Sequence, residues 1–108
     1  MDVPEIDIAE AAIRHGAGTP VIDVRELDEY LDGHVPGAPL ISLSTVPDRL
    51  ADFPADREVL IICKSGGRSG KAAEFLLGQG IQAVNIAGGT MAWIDAGHRV
   101  VTGEEAGS

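Results

Sequence analysis

Several features are scarce or absent in this sequence, and each shortage excludes a class of protein. A single cysteine among 108 residues cannot form an internal disulfide, so no such cross-link holds the fold together. No apolar run approaches the roughly 20 residues that a membrane-spanning helix needs. Residues 1–5 are acidic and lack the basic and apolar regions of a signal peptide, so we expect a cytoplasmic location.

Basic residues are also scarce, since 8 lysines and arginines stand against 17 acidic residues and give a formal net charge of −9. Phosphate backbones and anionic lipids do not attract such a chain, so we expect neither nucleic acid nor a membrane as a partner. Residues 63–71 are the exception, because they contain three cations and no acid: Lys64, Arg68 and Lys71. This basic spot indicates a small anionic substrate or a charged intermediate. The alternative is that the three cations are ordinary solvated surface.

The length and composition predict one globular domain, residues 1–108, in which residues 103–108 form a flexible tail. Short apolar segments alternate with helical ones along the chain. We expect strands at 21–24, 40–41, 58–62, 83–86 and 99–101, and helices at 5–16, 25–31, 46–53, 69–79 and 88–97. Strands joined by helical crossovers predict an α/β sandwich, with a mostly parallel sheet covered by helices on both faces.

The most informative stretch begins with the apolar, β-branched run Val59–Ile62. Residues 63–69 follow as a glycine-containing loop that starts with the single cysteine, and a helix comes next. This order of strand, tight loop and helix directs backbone N–H groups at one point near the helix N-terminus. Because the carboxyl ends of parallel strands form the binding crevice of such a sheet, Cys63 is expected to lie there.

Cys63 is therefore the candidate nucleophile. Cysteine reacts as the thiolate, and a thiol with an ordinary pKa of about 8.5 is mostly protonated at neutral pH. The loop amides, the helix N-terminus and Arg68 would each favour the ionised form, and Ser69 is expected to cap the helix. Glycines at 66 and 67 allow consecutive N–H groups to turn inward. The alternative is an inert cysteine buried in the core.

Four motifs, in their order and spacing, resemble the rhodanese-like sulfurtransferases. The motifs are Val21–Glu26 with Tyr30, Gly33–Ala38, Cys63–Ser69 with Ala72 and Ala73, and Gly88–Trp93. The resemblance implies a three-layer sandwich with a five-stranded, mostly parallel sheet, and a persulfide formed on Cys63. In the cycle it implies, a donor such as thiosulfate or a persulfide loads Cys63, and cyanide or a thiol removes the sulfur. The residues expected to bind the substrate are those of the rest of the loop: Lys64, Ser65, Gly66, Gly67 and Arg68.

Loop length separates reaction classes within this fold. The related phosphatases and arsenate reductases have a loop one residue longer, because a tetrahedral oxyanion needs a larger cradle than a single sulfur atom. Four residues separate Cys63 from Arg68, which favours sulfur transfer. Efficient thiosulfate users in the family tend to carry basic residues at the second and third loop positions. Here Lys64 is followed by neutral Ser65, so the donor stays open between thiosulfate and a persulfide.

Other polar residues are assigned structural roles. The histidines at 15, 34 and 98 are scattered, so we expect no metal site and no cofactor. His34 is expected to hold its turn by hydrogen bonds, and Trp93 to lie in the core. Arg25 is expected to pair with Glu74 or with another carboxylate.

A second interpretation of the function is a non-catalytic or sulfur-carrier module that serves a partner protein. It is consistent with the single cysteine, because the chain contains no second thiol that could resolve a persulfide. The expected partners are small sulfur donors and acceptors, and thioredoxin-like or other thiol proteins.

Overall fold

A parallel sheet forms the centre of the fold in the computed structural model, which describes residues 2–104. Its strands are β1 (Glu5–Ile6), β2 (Val21–Asp23), β3 (Val59–Ile62) and β4 (Ala83–Ile86), in the order β1-β4-β3-β2. The helices are α1 (Ile8–Gly16), α2 (Leu27–Asp32), α3 (Gly67–Gly78) and α4 (Gly89–Asp95), with two short 3-10 helices at Leu43–Asp48 and Leu50–Asp52. None of the described helices is long and apolar enough to cross a membrane. Residues 105–108, most of the predicted tail, lie outside the described part of the chain.

The central strand β3 sends its side chains alternately to the two faces of the sheet. Val59 and Ile61 pack in one apolar cluster with residues of α3, and Leu60 and Ile62 pack in a second cluster with residues of α1 and α4. All four residues of β3 are 0% exposed. Burial on both faces is the reason why this strand is a continuous apolar run instead of an alternating one. The predicted α/β sandwich with helices on both faces is confirmed.

The sheet contains four strands where five were expected, and β1 is a strand that the sequence did not predict. The sequence pattern places residues 5–6 in the first helix. They pair with β4 instead, since the carbonyls of Pro4 and Ile6 accept hydrogen bonds from the backbone of the neighbouring strand. The helix begins at Ile8, and Asp7 caps it by accepting a hydrogen bond of 2.9 Å from the Glu10 N–H. The cap is confirmed, and the pairing at the sheet edge overrides the helical pattern before it.

Two of the predicted strands are reduced to isolated bridges. Leu40 bridges to Asp23 in the parallel sense, but the chain enters a 3-10 helix at Leu43 before the pairing extends. Val101 bridges to His34 in the antiparallel sense, and no longer ladder forms there. Leu40 pairs with the end of β2, and Val101 pairs with the turn at His34, for too few residues to count as strands.

Candidate active site

The loop after β3 is closed by a glycine in a conformation that other residues rarely adopt. Helix α3 begins at Gly67, two residues earlier than predicted, and its N-cap Gly66 has a φ of 109°. Glycine reaches this left-handed region without steric cost. The turn directs the Gly66 N–H at the sulfur of Cys63, with an N···Sγ distance of 3.1 Å. Gly66, the residue that makes the turn, therefore also supplies one of the loop amides expected to point at Cys63.

The sulfur of Cys63 is buried and hydrogen-bonded. The residue is 1% exposed, and the Ser69 hydroxyl lies 3.3 Å from Sγ. Burial by itself raises the pKa of this thiol, but the Ser69 hydroxyl and the backbone N–H groups of Ser69, Gly66 and Ser65 lower it by more. The net pKa lies below the ordinary value, because the hydrogen bonds favour the charged form over the neutral one. The environment thus increases the thiolate fraction at neutral pH.

Ser69 does not cap α3, which corrects the sequence-based expectation. The helix has begun before it, and Ser69 is fully buried with its hydroxyl between two side chains. One is Cys63, and the other is Asn85 of β4, whose Oδ1 lies 2.5 Å from the Ser69 oxygen. Asn85 was missed by the sequence reasoning. The available signal was a polar residue inside the otherwise apolar strand Ala83–Ile86.

Arg68 is bound to a carboxylate of another helix. Its guanidinium donates hydrogen bonds of 2.7 and 2.8 Å to the two carboxylate oxygens of Glu29 in α2. The hydrogen bonds from Arg68 lower the pKa of the Glu29 carboxyl to about 2, and Glu29 in turn raises the pKa of Arg68. The basic spot predicted at residues 63–71 is therefore partly neutralised. Lys64 and Lys71 are its exposed cations.

Helix α4 holds the start of the loop through the loop's own carbonyls. The Cys63 carbonyl accepts hydrogen bonds from the Thr90 N–H at 2.8 Å and the Thr90 hydroxyl at 3.1 Å. The Lys64 carbonyl accepts one from the Met91 N–H at 3.1 Å. The first N–H groups of a helix have no partner within the helix, so the loop satisfies donors that would otherwise be unpaired. Gly89, with a φ of 59°, lies directly against these two carbonyls.

The buried charges at the end of β2 pair with each other. Arg25 donates to Asp23 at 2.8 Å and to the carbonyl of Gly33 at 2.8 Å, so the expected pairing with Glu74 is wrong and the open alternative of another carboxylate is confirmed. Glu74 is exposed on α3, whereas Asp23 is 0% exposed and has to be neutralised locally. The ion pair ties the end of β2 to the turn after α2.

His34 and Trp93 have the structural roles that the sequence predicts. His34 is 0% exposed, its Nδ1 lies 2.8 Å from the carbonyl oxygen of Tyr30, and its ring stacks on the Tyr30 ring. Its predicted role in holding the turn is confirmed. Trp93 is 5% exposed and lies in the core, as predicted.

A groove of about 260 Å³ opens beside the loop. Its walls come from α2, α4 and the loop, and the residues lining it are Arg25, Glu29, Asp32, Gly33, Lys64, Thr90, Met91 and Ile94. Met91 and Ile94 are each about half exposed, at 49% and 50%. Within residues 2–104, no cluster of three histidine, cysteine, aspartate or glutamate side chains is arranged to hold a metal ion.

Replacing Arg68 with alanine is expected to change the pKa of the Cys63 thiol little, because the guanidinium interacts mainly with Glu29 and only more weakly with the cysteine sulfur. Ser69→Ala is the comparison within the same helical turn, and we expect it to raise that pKa by removing a donor to the sulfur. The pH dependence of alkylation by iodoacetamide measures both. Arg68→Ala leaves Glu29 unpaired, so Arg68→Ala/Glu29→Gln is the charge-balanced control. A clear rise in the pKa in that double variant would show that Arg68 does support the thiolate.

Comparison with known proteins agrees with this architecture. The sequence model of the Rhodanese-like domain matches residues 6–96. A putative sulfurtransferase, YtwF of Bacillus subtilis, is 36% identical over 95 residues, with 86% of this chain and 92% of the relative covered. A putative sulfur carrier protein, YrkF of the same species, is 34% identical, with 84% of this chain and 51% of the relative covered.

Solved structures show the same fold. The crystal structure of a rhodanese-related protein from Thermoplasma volcanium superposes with a TM-score of 0.87 at 31% identity, covering 93% of this chain and 99% of that one. The family match extends from β1 to the end of α4 and includes every element that positions Cys63. The chain therefore belongs to the family of Rhodanese-like domains.

Proposed function

We propose that this protein is a sulfurtransferase that carries a sulfane sulfur as a persulfide on Cys63. The observation that supports this most directly is the hydrogen-bonded environment of Sγ, which lowers the pKa of the only thiol in the chain. Relatives named as a putative sulfurtransferase and as a putative sulfur carrier protein point to the same chemistry. The short loop between Cys63 and Arg68 favours a transferred sulfur atom over a phosphoryl group.

The proposed cycle has two displacement steps. In the first, the Cys63 thiolate attacks the sulfane sulfur of the donor, a new S–S bond forms, and the donor's own S–S bond breaks. With thiosulfate the leaving group is sulfite, which departs with the electron pair of that bond. In the second, cyanide or a thiolate attacks the outer sulfur of the persulfide, and Cys63 leaves as the thiolate. Covalent catalysis of this kind divides one difficult transfer into two easier ones.

The loop residues take different parts in this proposal. Lys64 and Ser65 are exposed whereas Cys63 is only 1% exposed, so a donor meets these two residues first. Lys64 attracts an anionic donor, and the backbone N–H groups of Ser65, Gly66 and Ser69 stabilise the charge on the sulfur. Arg68 acts mainly through its pair with Glu29, which ties the loop to α2. With a neutral residue at 65 and Arg68 paired, we expect a persulfide to load Cys63 faster than the dianion thiosulfate.

The carrier role is the second candidate, and one observation favours it. The relative named as a putative sulfur carrier is 34% identical and covers 84% of this chain. In this role Cys63 would pass its sulfur to a thiol protein instead of turning over small acceptors such as cyanide. Fast transfer to a thioredoxin-like protein, together with slow thiocyanate formation, would identify a carrier. A cytoplasmic location suits either role and stays part of the proposal.

Loading of the intact protein tests the proposal. The protein is incubated with thiosulfate or with glutathione persulfide, and the intact mass is measured. We expect the mass to increase by one sulfur atom and to return to its starting value after addition of cyanide, with formation of thiocyanate. If neither donor produces an adduct at any pH at which the protein is folded, sulfur transfer through Cys63 is excluded. Measurable hydrolysis of a phosphate ester would instead revive the phosphatase alternative.

A further inference from the structure

Asn85 makes three hydrogen bonds that the proposed reaction does not explain. It is 3% exposed in β4, and its Nδ2 donates to Glu5 Oε2 at 2.8 Å and to the Gly66 carbonyl at 3.1 Å. Its Oδ1 accepts from the Ser69 hydroxyl at 2.5 Å. One side chain therefore contacts the edge strand β1, the N-cap of α3, and Ser69, whose hydroxyl lies beside the cysteine sulfur.

The orientation of the Asn85 amide follows from its partners. A carboxylate and a backbone carbonyl only accept hydrogen bonds, so both require the NH₂ group of the amide on their side. The carbonyl oxygen of Asn85 must then face Ser69. This assignment rests on two independent acceptors, on β1 and on the loop, and reversing the amide would place oxygen against oxygen at both.

Ser69 therefore faces two acceptors with a single proton to donate. Its oxygen lies 2.5 Å from Asn85 Oδ1 and 3.3 Å from Cys63 Sγ, and a hydroxyl has one O–H donor. We propose that Asn85 is a positioning residue that shares the Ser69 hydroxyl with Cys63, so that this O–H donates to Sγ when the sulfur is a thiolate and to Asn85 when Sγ is uncharged. The hydroxyl changes its partner by rotation about one bond, without a water molecule.

The two orientations of the Ser69 O–H correspond to the thiolate and the persulfide of the proposed cycle. This part of the inference rests on the proposed function. When the donor's S–S bond breaks and the persulfide forms, the negative charge moves from Sγ to the outer sulfur, and the Ser69 proton turns to Asn85. When an acceptor takes the outer sulfur, the electron pair of the Cys63 S–S bond returns to Sγ, and the hydroxyl donates to it again. Asn85 thus accepts the hydrogen bond of the Ser69 hydroxyl while Sγ carries no charge.

The surrounding charges do not provide this coupling. Glu5, on β1, reaches the site through the Asn85 amide, and Lys64 is exposed at the loop surface. Arg68 and Glu29 are paired with each other. Thus Ser69 is the described side chain that contacts both Asn85 and the cysteine sulfur. The other hydrogen-bonded route from Asn85 to the sulfur passes through the backbone of Gly66, so the test must separate the two routes.

A double-mutant cycle on the unloaded protein tests the inference. The pKa of the Cys63 thiol is measured from the pH dependence of iodoacetamide alkylation in wild type, Ser69→Ala, Asn85→Leu and Ser69→Ala/Asn85→Leu. Leucine keeps the branched outline of the buried side chain but replaces the amide oxygen and nitrogen with larger methyl groups. We expect Ser69→Ala to raise the pKa and Asn85→Leu to lower it, since the hydroxyl is then no longer shared. The double variant should match Ser69→Ala alone.

The outcomes are distinct. If Asn85→Leu shifts the pKa by the same amount with and without Ser69, Asn85 acts only by holding Gly66, and the inference is wrong. A rise in the pKa in Asn85→Leu also overturns it. Glu5→Gln keeps an acceptor for the amide and is the milder variant should Asn85→Leu not fold; we expect it to leave the pKa close to that of wild type. Because the cycle examines the thiol alone, failure of sulfur loading would overturn the proposed function and leave this result standing.

Discussion

Cys63→Ser is expected to abolish sulfur loading and to reduce thiocyanate formation by at least about 10³-fold, the scale on which loss of a catalytic nucleophile acts. A serine hydroxyl is not ionised at neutral pH, and its oxygen does not form a stable counterpart of the persulfide. The replacement keeps the shape of the side chain and the donor from Gly66, so the protein should remain folded. The loss would then belong to the chemistry and not to the fold.

Two measurements make this expectation specific. Intact mass after incubation with thiosulfate or glutathione persulfide should show no added sulfur in Cys63→Ser, while Glu74→Ala, an exposed change on α3, should load like wild type. Thermal unfolding should give similar midpoints for all three proteins. Retention of a sulfur adduct or of turnover in Cys63→Ser would place the reactive group elsewhere and end the proposal.

The second large effect is expected from Gly89→Ala. A Cβ at this position would lie 2.5 Å from the carbonyl oxygens of both Cys63 and Lys64, and the φ of 59° is strained for any residue with a side chain. Backbone atoms cannot rotate aside, so the loop has to move away from α4. We expect a loss of about 3 kcal/mol of folding free energy from strain and overpacking together.

Gly97→Ala separates the two causes. Gly97 has a φ of 84°, also in the left-handed region, but a Cβ there would meet nothing within 4 Å. This variant therefore carries backbone strain without a clash, and we expect it to cost about 1 kcal/mol. Urea unfolding measures both losses, and cysteine alkylation shows whether the loop has shifted in Gly89→Ala. Equal losses in the two variants would mean that α4 does not hold the loop tightly.

The local features of the loop that begins at Cys63 could be predicted from sequence because they depend on neighbours along the chain. The apolar run Val59–Ile62 identified the central strand, and the glycines after Cys63 identified a tight turn into a helix. The Asp7 cap was predicted for the same reason, since its partner is three residues away. The count of residues between Cys63 and Arg68 needs no structure at all.

The partners of the side chains could not be predicted, because they come from distant parts of the sequence. Arg68 meets Glu29, 39 residues earlier, only because α2 packs beside the loop. Ser69 fits the pattern of a helix cap, and its hydroxyl reaches Cys63 and Asn85 only because the helix begins two residues before it. Strand β1 exists because β4 offers an edge to residues whose local pattern is helical.

The sequence by itself therefore identified the candidate nucleophile and the short loop on which the proposal of sulfur transfer rests. These follow from one cysteine, its glycines and a fixed count of residues. Tertiary structure decided which groups act on that nucleophile: the Ser69 hydroxyl and loop amides reach the sulfur, while Arg68 is held by Glu29. The reason is physical, since a hydrogen bond depends on the distance and direction between groups, and packing of the sheet against its helices sets both.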